Sequence, residues 1–286
     1  MTVLPIQRSF IDASGVEITF YEWPVAEPKA AIQLAHGLGE HARRYDHVAA
    51  ALNRAGYTVY ADDHRGHGQT GKQQLATGSI KTMGNLGPGG MKATFAEVKQ
   101  LTDLIRSEHA ELPIVLLGHS WGSMIAQRVI NKHYEAYAGL ILSGSAVLIP
   151  GLLASGGDNR AWDKLPDASG KEWLSRDHTV GVRFNADPFN FPESAMQVFG
   201  IGNSLALMGI PSRKLPNELP VLLQVGAEDS IGGEKANSRL FKLFQRAGID
   251  DLELLAYHGA RHEVYNETNK EEVLEDLTTW LARRFS

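Results

Sequence analysis

The stretch Ile114-Val115-Leu116-Leu117-Gly118-His119-Ser120-Trp121-Gly122-Ser123 decides the fold. Four apolar residues of strand character run straight into G-x-S-x-G, and helical periodicity continues to His133. A strand-to-helix turn of this kind lifts the serine hydroxyl clear of a sheet. It also presents the hydroxyl at a helix N-terminus, where unpaired N–H groups favour developing negative charge. Glycine at 118 and 122 suits a backbone that passes close to its neighbours. The competing interpretation, a Gly-rich loop whose serine caps a helix, has to explain the rest of the chain as well.

Outward from this turn, short apolar runs alternate with helical periodicity, the pattern of βαβ units around a largely parallel sheet. Strands are predicted over 16–23 (antiparallel), 30–35, 57–61, 114–117, 139–143, 219–225 and 252–257. Helices are predicted over 45–55, 91–109, 120–133, 233–247 and 270–285. In the last helix Val273, Leu277, Trp280 and Leu281 fall at i, i+4, i+7 and i+8, a core-facing stripe. A glycine-rich loop is expected over about 70–90. Regularity breaks over 147–216, where glycines, prolines and large apolar residues mix. The expected organisation is an α/β core, 1–146 and 217–286, interrupted by an insertion at 147–216.

The chain has 286 residues, 43% of them hydrophobic, enough for a sizeable core. Its net charge of −5 gives no basic excess for neutralising phosphates, so no nucleic-acid partner is expected. Cysteine is absent, which excludes disulfides and thiol chemistry and points to the reducing cytoplasm. The first ten residues lack the basic start and apolar centre of a signal peptide. No apolar run approaches the roughly 20 residues of a membrane span. Nothing in the pattern sets the oligomeric state.

A serine hydroxyl is a weak nucleophile at neutral pH and needs a base, itself oriented by a carboxylate. In chain order these partners follow the serine. Asp229 stands just beyond the strand at 219–225, at the functional edge of an open sheet, with Glu228 as the fallback. His262 stands after the last strand and before the last helix, with His258 as the runner-up. In this scheme His262 takes the Ser120 proton and returns it to the leaving alcohol, while Asp229 holds the tautomer. The oxyanion would be met by the backbone N–H of Trp121 and that of Leu38, in the loop His36-Gly37-Leu38-Gly39. A metal site at His36, Glu40 and His41 is not expected, because the spacing is neither H-E-x-x-H nor H-x-x-E-H. His64 and His67 read as structural hydrogen-bonding residues. The segment 84–90 lacks the Lys-Ser/Thr of a phosphate-binding loop.

Together these residues resemble the α/β-hydrolase superfamily, and within it the monoacylglycerol lipase and lysophospholipase-like branch (serine aminopeptidase S33-like). The carriers are His36-Gly37-Leu38-Gly39-Glu40-His41, Asp63-His64-Arg65-Gly66-His67-Gly68, Gly118-His119-Ser120-Trp121-Gly122, Gly226-Ala227-Glu228-Asp229 and His262-Glu263-Val264-Tyr265-Asn266-Glu267. The resemblance implies an α/β-hydrolase fold, the triad Ser120, Asp229 and His262, oxyanion donors at Leu38 and Trp121, and neither cofactor nor metal. It also implies hydrolysis of a lipid-like carboxylic ester through an acyl-enzyme. The branch usually carries Met and then Gly-Gly after the nucleophile; Trp121, Gly122 and Ser123 stand here, and the indole is expected to narrow the acyl pocket. The insertion falls where the branch carries its cap, and Trp173-Leu174-Ser175-Arg176-Asp177 and Asp187-Pro188 resemble cap landmarks. A cap encloses an apolar cavity, for which Leu152, Leu153, Phe199, Leu205 and Met208 are candidate linings, equally readable as the cap's own core. Transient membrane contact would run through this cap. Competing functions are short-chain carboxylesterase, lysophospholipase, aminopeptidase or amidase, and a non-catalytic ligand-binding hydrolase fold.

Overall fold

A computed structural model describes residues 4–149, 159–162, 164–165, 167–191 and 195–286. Eight strands form one sheet: β1 (Ile6–Ile11), β2 (Glu17–Trp23), β3 (Ala31–Ala35), β4 (Thr58–Asp62), β5 (Ile114–His119), β6 (Gly139–Ser143), β7 (Val221–Gly226) and β8 (Leu252–Tyr257). Their order is β1-β2-β4-β3-β5-β6-β7-β8. β1 and β2 pair antiparallel with each other, and β2 with β4, while every pair from β4 to β8 is parallel. β3 to β7 are buried along their whole length. Buried parallel strands read as continuous apolar runs, which is why the sequence shows them so plainly.

The helices α1 (Asp46–Arg54), α2 (Gly68–Ala76), α3 (Gly90–Glu108), α4 (Trp121–His133), α5 (His178–Ala186), α6 (Ala195–Ala206), α7 (Gly233–Ala247) and α8 (Lys270–Ala282) complete the chain. Two apolar layers sandwich the sheet. Val98, Leu101 and Ile105 of α3, Ile125 and Val129 of α4, and Leu240 and Phe244 of α7 fill one. Val48 and Leu52 of α1 and Val273, Leu277 and Trp280 of α8 fill the other.

Four elements, β1, α2, α5 and α6, depart from the sequence expectation. β1 was not anticipated; it is an edge strand with no fully buried residue. The predicted loop at 70–90 begins with α2, which its glycines conceal. That helix is held by tertiary contacts: the Asp63 carboxylate accepts the Gln69 N–H at 2.7 Å, and Thr70 Oγ1 accepts the Thr19 N–H at 2.9 Å. The irregular segment after β6 contributes α5 and α6 and, among the described residues, no strand. α5 starts on an Asp177 cap, whose carboxylate accepts the Thr179 N–H. α6 is broken at Gly200 (φ 67°, ψ −180°), which erased its periodicity.

The chain steps from β3 outward to β4, then crosses back to β5 on the other side of β3. This reversal places the crevice of an open α/β sheet between the ends of β3 and β5.

Candidate active site

Ser120 is held at φ 53°, ψ −122°, in a region that non-glycine residues rarely occupy. Gly118 and Gly122 permit the turn. A Cβ on Gly118 would sit 2.5 Å from the Gly122 carbonyl oxygen, and one on Gly122 only 2.1 Å from that of Ala35. The Ser120 N–H donates to the Ser143 carbonyl (2.9 Å), which ties the turn to the end of β6. The next residue, Gly144, lies under His262, since a Cβ there would approach His262 Cε1 to 3.0 Å.

His262 Nδ1 lies 2.9 Å from Asp229 Oδ2. An ionised carboxylate only accepts, so Nδ1 carries the proton and Nε2 the lone pair. His262 is 1% exposed, and its Nε2 has no hydrogen-bond partner among the described residues. Burial disfavours the imidazolium, yet the charge and hydrogen bond of Asp229 outweigh it and raise the His262 pKa above its ordinary value. Burial likewise raises the Asp229 pKa, but His262 and the N–H groups of Ile231 and Gly232 bring it below the ordinary carboxylate value. The runners-up lie elsewhere: Glu228 and His258 are both exposed.

The loop after β3 closes the other side. A Cβ on Gly37 would come within 3.2 Å of Ser120 Cβ. The Gly37 N–H is already spent on Glu40 Oε1 at 2.6 Å. The N–H groups of Leu38 and Trp121 donate to no other described residue. Glu40 also accepts from Tyr45 and Arg44, His41 contacts Asp187, and His36 Nε2 accepts the His64 N–H, so these three side chains have separate partners. Asp62, His64 and Glu97 bring possible ligand atoms within 4.8 Å of one another. The cation there is a guanidinium: Arg65 Nε donates to Glu97 at 2.9 Å, and its Nη2 pairs with Asp12.

Sequence reasoning missed two features. Arg44 bridges Glu40 to Glu263 and so joins the Gly37 loop to the His262 loop. The signal was there in Glu40, Arg44 at i+4 and Glu263 beside His262, but only the fold brings them together. His262 is also flanked by aromatic rings, Trp173 at 5.1 Å and His119 at 4.8 Å.

Of the candidate linings, Phe199 is buried against the Trp121 indole at 4.9 Å. Met208 packs half-buried on the same cluster. Leu205 is instead 53% exposed, on the outer side of α6 together with Ile201. Leu152 and Leu153 lie outside the described residues.

The family model for serine aminopeptidase S33 matches residues 26–269. A monoacylglycerol lipase of Mycolicibacterium smegmatis is 32% identical, with 96% of each chain covered. The Homo sapiens monoglyceride lipase is 28% identical over 96% of this chain and 89% of its own. A thermostable carboxyl esterase from Bacillus coagulans shares the fold at a TM-score of 0.82 and 24% identity, with 100% of each chain covered. The chain belongs to the serine aminopeptidase S33 family, in the monoacylglycerol lipase-like branch of the α/β-hydrolases, and is a serine carboxylic-ester hydrolase.

Proposed function

We propose that the protein hydrolyses monoacylglycerols through an acyl-enzyme on Ser120. The observation that carries this is the Asp229–His262 hydrogen bond just beyond β7 and β8, which leaves His262 Nε2 without a partner among the described residues, together with the strained Ser120, whose N–H is tied to Ser143 next to the Gly144 that underlies His262. Ser120 Oγ attacks the ester carbonyl as its proton passes to His262 Nε2, and the carbonyl oxygen becomes an anion held by the Leu38 and Trp121 N–H groups. The tetrahedral intermediate collapses, the proton goes to the departing glycerol oxygen, and water repeats the sequence to free the fatty acid.

In this reading residues 147–216 are the cap, and Phe199 and Met208 line the acyl side. Membrane contact through the cap is supported by Ile201 and Leu205, 70% and 53% exposed on α6. The cysteine-free chain accords with a cytoplasmic setting. A second reading, short-chain carboxylesterase, is favoured by the bulk of Trp121, wedged between His67 and Phe199 with 4.9 Å between ring centres on each side.

The test is acid release from a long-chain monoacylglycerol, a short-chain ester and a lysophospholipid, with Ser120→Ala as control. Preference for the monoacylglycerol, abolished in the variant, upholds the first reading. Turnover of the short ester alone replaces it with the second.

A further inference from the structure

We propose that Trp173 is a positioning residue for the base: its indole packs against the His262 imidazole, which His119 also contacts, and stabilises the imidazolium that forms during the reaction. The proposal rests on His262 being the base. The indole and imidazole centroids are 5.1 Å apart at 36°. The His119 and His262 ring centroids are 4.8 Å apart at 51°. Asp229 fixes the ring edge at Nδ1, and two aromatic neighbours restrain its plane, so Nε2 has one direction left in which to accept a proton.

The contact is built from parts of the chain far apart in sequence. The Trp173 carbonyl accepts the His262 N–H at 3.3 Å, and the Leu174 carbonyl accepts that of Glu263 at 2.7 Å. The Arg261 guanidinium donates to the carbonyls of Glu172 (2.7 Å) and Ser175 (3.0 Å). Glu267 accepts from both Arg261 N (2.8 Å) and Arg176 Nε (2.9 Å). Residues 172–176 and 261–267 therefore act as one unit, which holds the indole over the imidazole.

Proton transfer from Ser120 creates a cation in a site that excludes water. A cation over an indole face within about 6 Å is stabilised by the ring quadrupole, and more so where water is absent. The neighbouring His119 ring must not compete for the charge. Burial, then the charge of His262 itself, lower the His119 pKa to about 4, so His119 stays neutral. The remaining charged groups facing the base are Asp229 on the β7–α7 loop, Glu40 on the β3–α1 loop and Glu263 on its own loop, with Arg44 between the two glutamates. None of these changes when Trp173 is replaced.

The experiment measures kcat and KM for 4-nitrophenyl butyrate against pH in Trp173→Phe, Trp173→Leu and Trp173→Met, with His262→Ala as control. Leu and Met keep an apolar cover without a π face, and the backbone hydrogen bonds survive any of the three. Trp173→Phe is expected within about threefold of wild type. Leu and Met should lose about two- to thirtyfold in kcat at unchanged KM. Their acid limb should also move to lower pH, because the imidazolium has lost a stabilising partner. Equal rates in Phe, Leu and Met, or an acid limb that stays in place, would overturn the role of Trp173. A change confined to KM would instead make Trp173 a substrate contact. Activity surviving in His262→Ala would sink the base assignment itself, whatever the Trp173 variants do. If the Leu variant fails to fold, the unbranched Met variant gives the same readout.

Discussion

Replacing Arg44 with methionine is the most informative perturbation of the framework around the site. The guanidinium donates to both oxygens of Glu263 (2.7 and 2.8 Å) and to Glu40. Side-chain exposures are 11% for Arg44, 4% for Glu40 and 5% for Glu263. Methionine fills much of the volume but leaves two buried carboxylates facing each other without a cation. Breaking a buried pair in this way costs about 3–5 kcal/mol. At about 2–4 °C per kcal/mol for a domain approaching this size, the melting temperature should fall by about 6–20 °C.

The pH dependence distinguishes this mechanism from loss of packing. Burial raises the Glu263 pKa in the native protein, but Arg44 overrides it and brings the value down to about 2. Its ionised form therefore stabilises the native state above the unfolded carboxylate pKa of about 4.3, and that contribution is lost only as pH falls toward 2. In Arg44→Met the Glu263 pKa rises, so acidification neutralises that carboxylate, relieves the repulsion and narrows the gap to wild type. Thermal denaturation of both proteins at pH 7.5 and pH 5 is the assay. A loss below about 1 kcal/mol, or a gap of equal size at both pH values, would refute the reasoning. Removing all three charges, with Glu40→Gln and Glu263→Gln added, should recover stability, since replacing a whole buried ion group is often near neutral.

Three further outcomes are expected. Because Asp229 raises the His262 pKa against the effect of burial, the acid limb of kcat/KM should have its midpoint above 6.5, and Asp229→Asn should lose about 10⁴-fold in kcat; a pH–rate profile of each checks both. Glu228→Gln and His258→Gln should each retain activity within about twofold, as both side chains are exposed, and steady-state kinetics would reveal an error in either exclusion. Gly122→Ala should abolish activity and lower the melting temperature, because its Cβ would meet the Ala35 and His36 carbonyl oxygens at 2.1 and 2.4 Å.

Much of this fold was legible in the sequence because its central strands are buried on both faces. Val221–Gly226 stands out as an apolar run, the half-exposed edge strand Leu252–Tyr257 shows through its leucines, and α7 has the boundaries that its periodicity predicts. The positions of Ser120, Asp229 and His262 followed from strand ends, which one-dimensional patterning resolves well. Other features depended on contacts that patterning does not encode. α2 begins at Gly68 and leans on Asp63 and Thr19, so local propensity argued against it. α6 is broken at Gly200, and its inner side meets Trp121 through Phe199 while Leu205 faces out. The Glu40–Arg44–Glu263 bridge spans 219 residues between Arg44 and Glu263, and Trp173 meets His262 only because residues 172–176 fold onto the loop that follows β8.

The central claim is that Ser120 forms a covalent acyl intermediate with His262 as its base. Intact-protein and peptide mass spectrometry after treatment with a fluorophosphonate tests it most directly. One phosphonyl group on the Ser120 peptide is predicted, with labelling lost in Ser120→Ala and slowed by orders of magnitude in His262→Ala. Modification of a different residue, or ester hydrolysis that persists in Ser120→Ala, would contradict it.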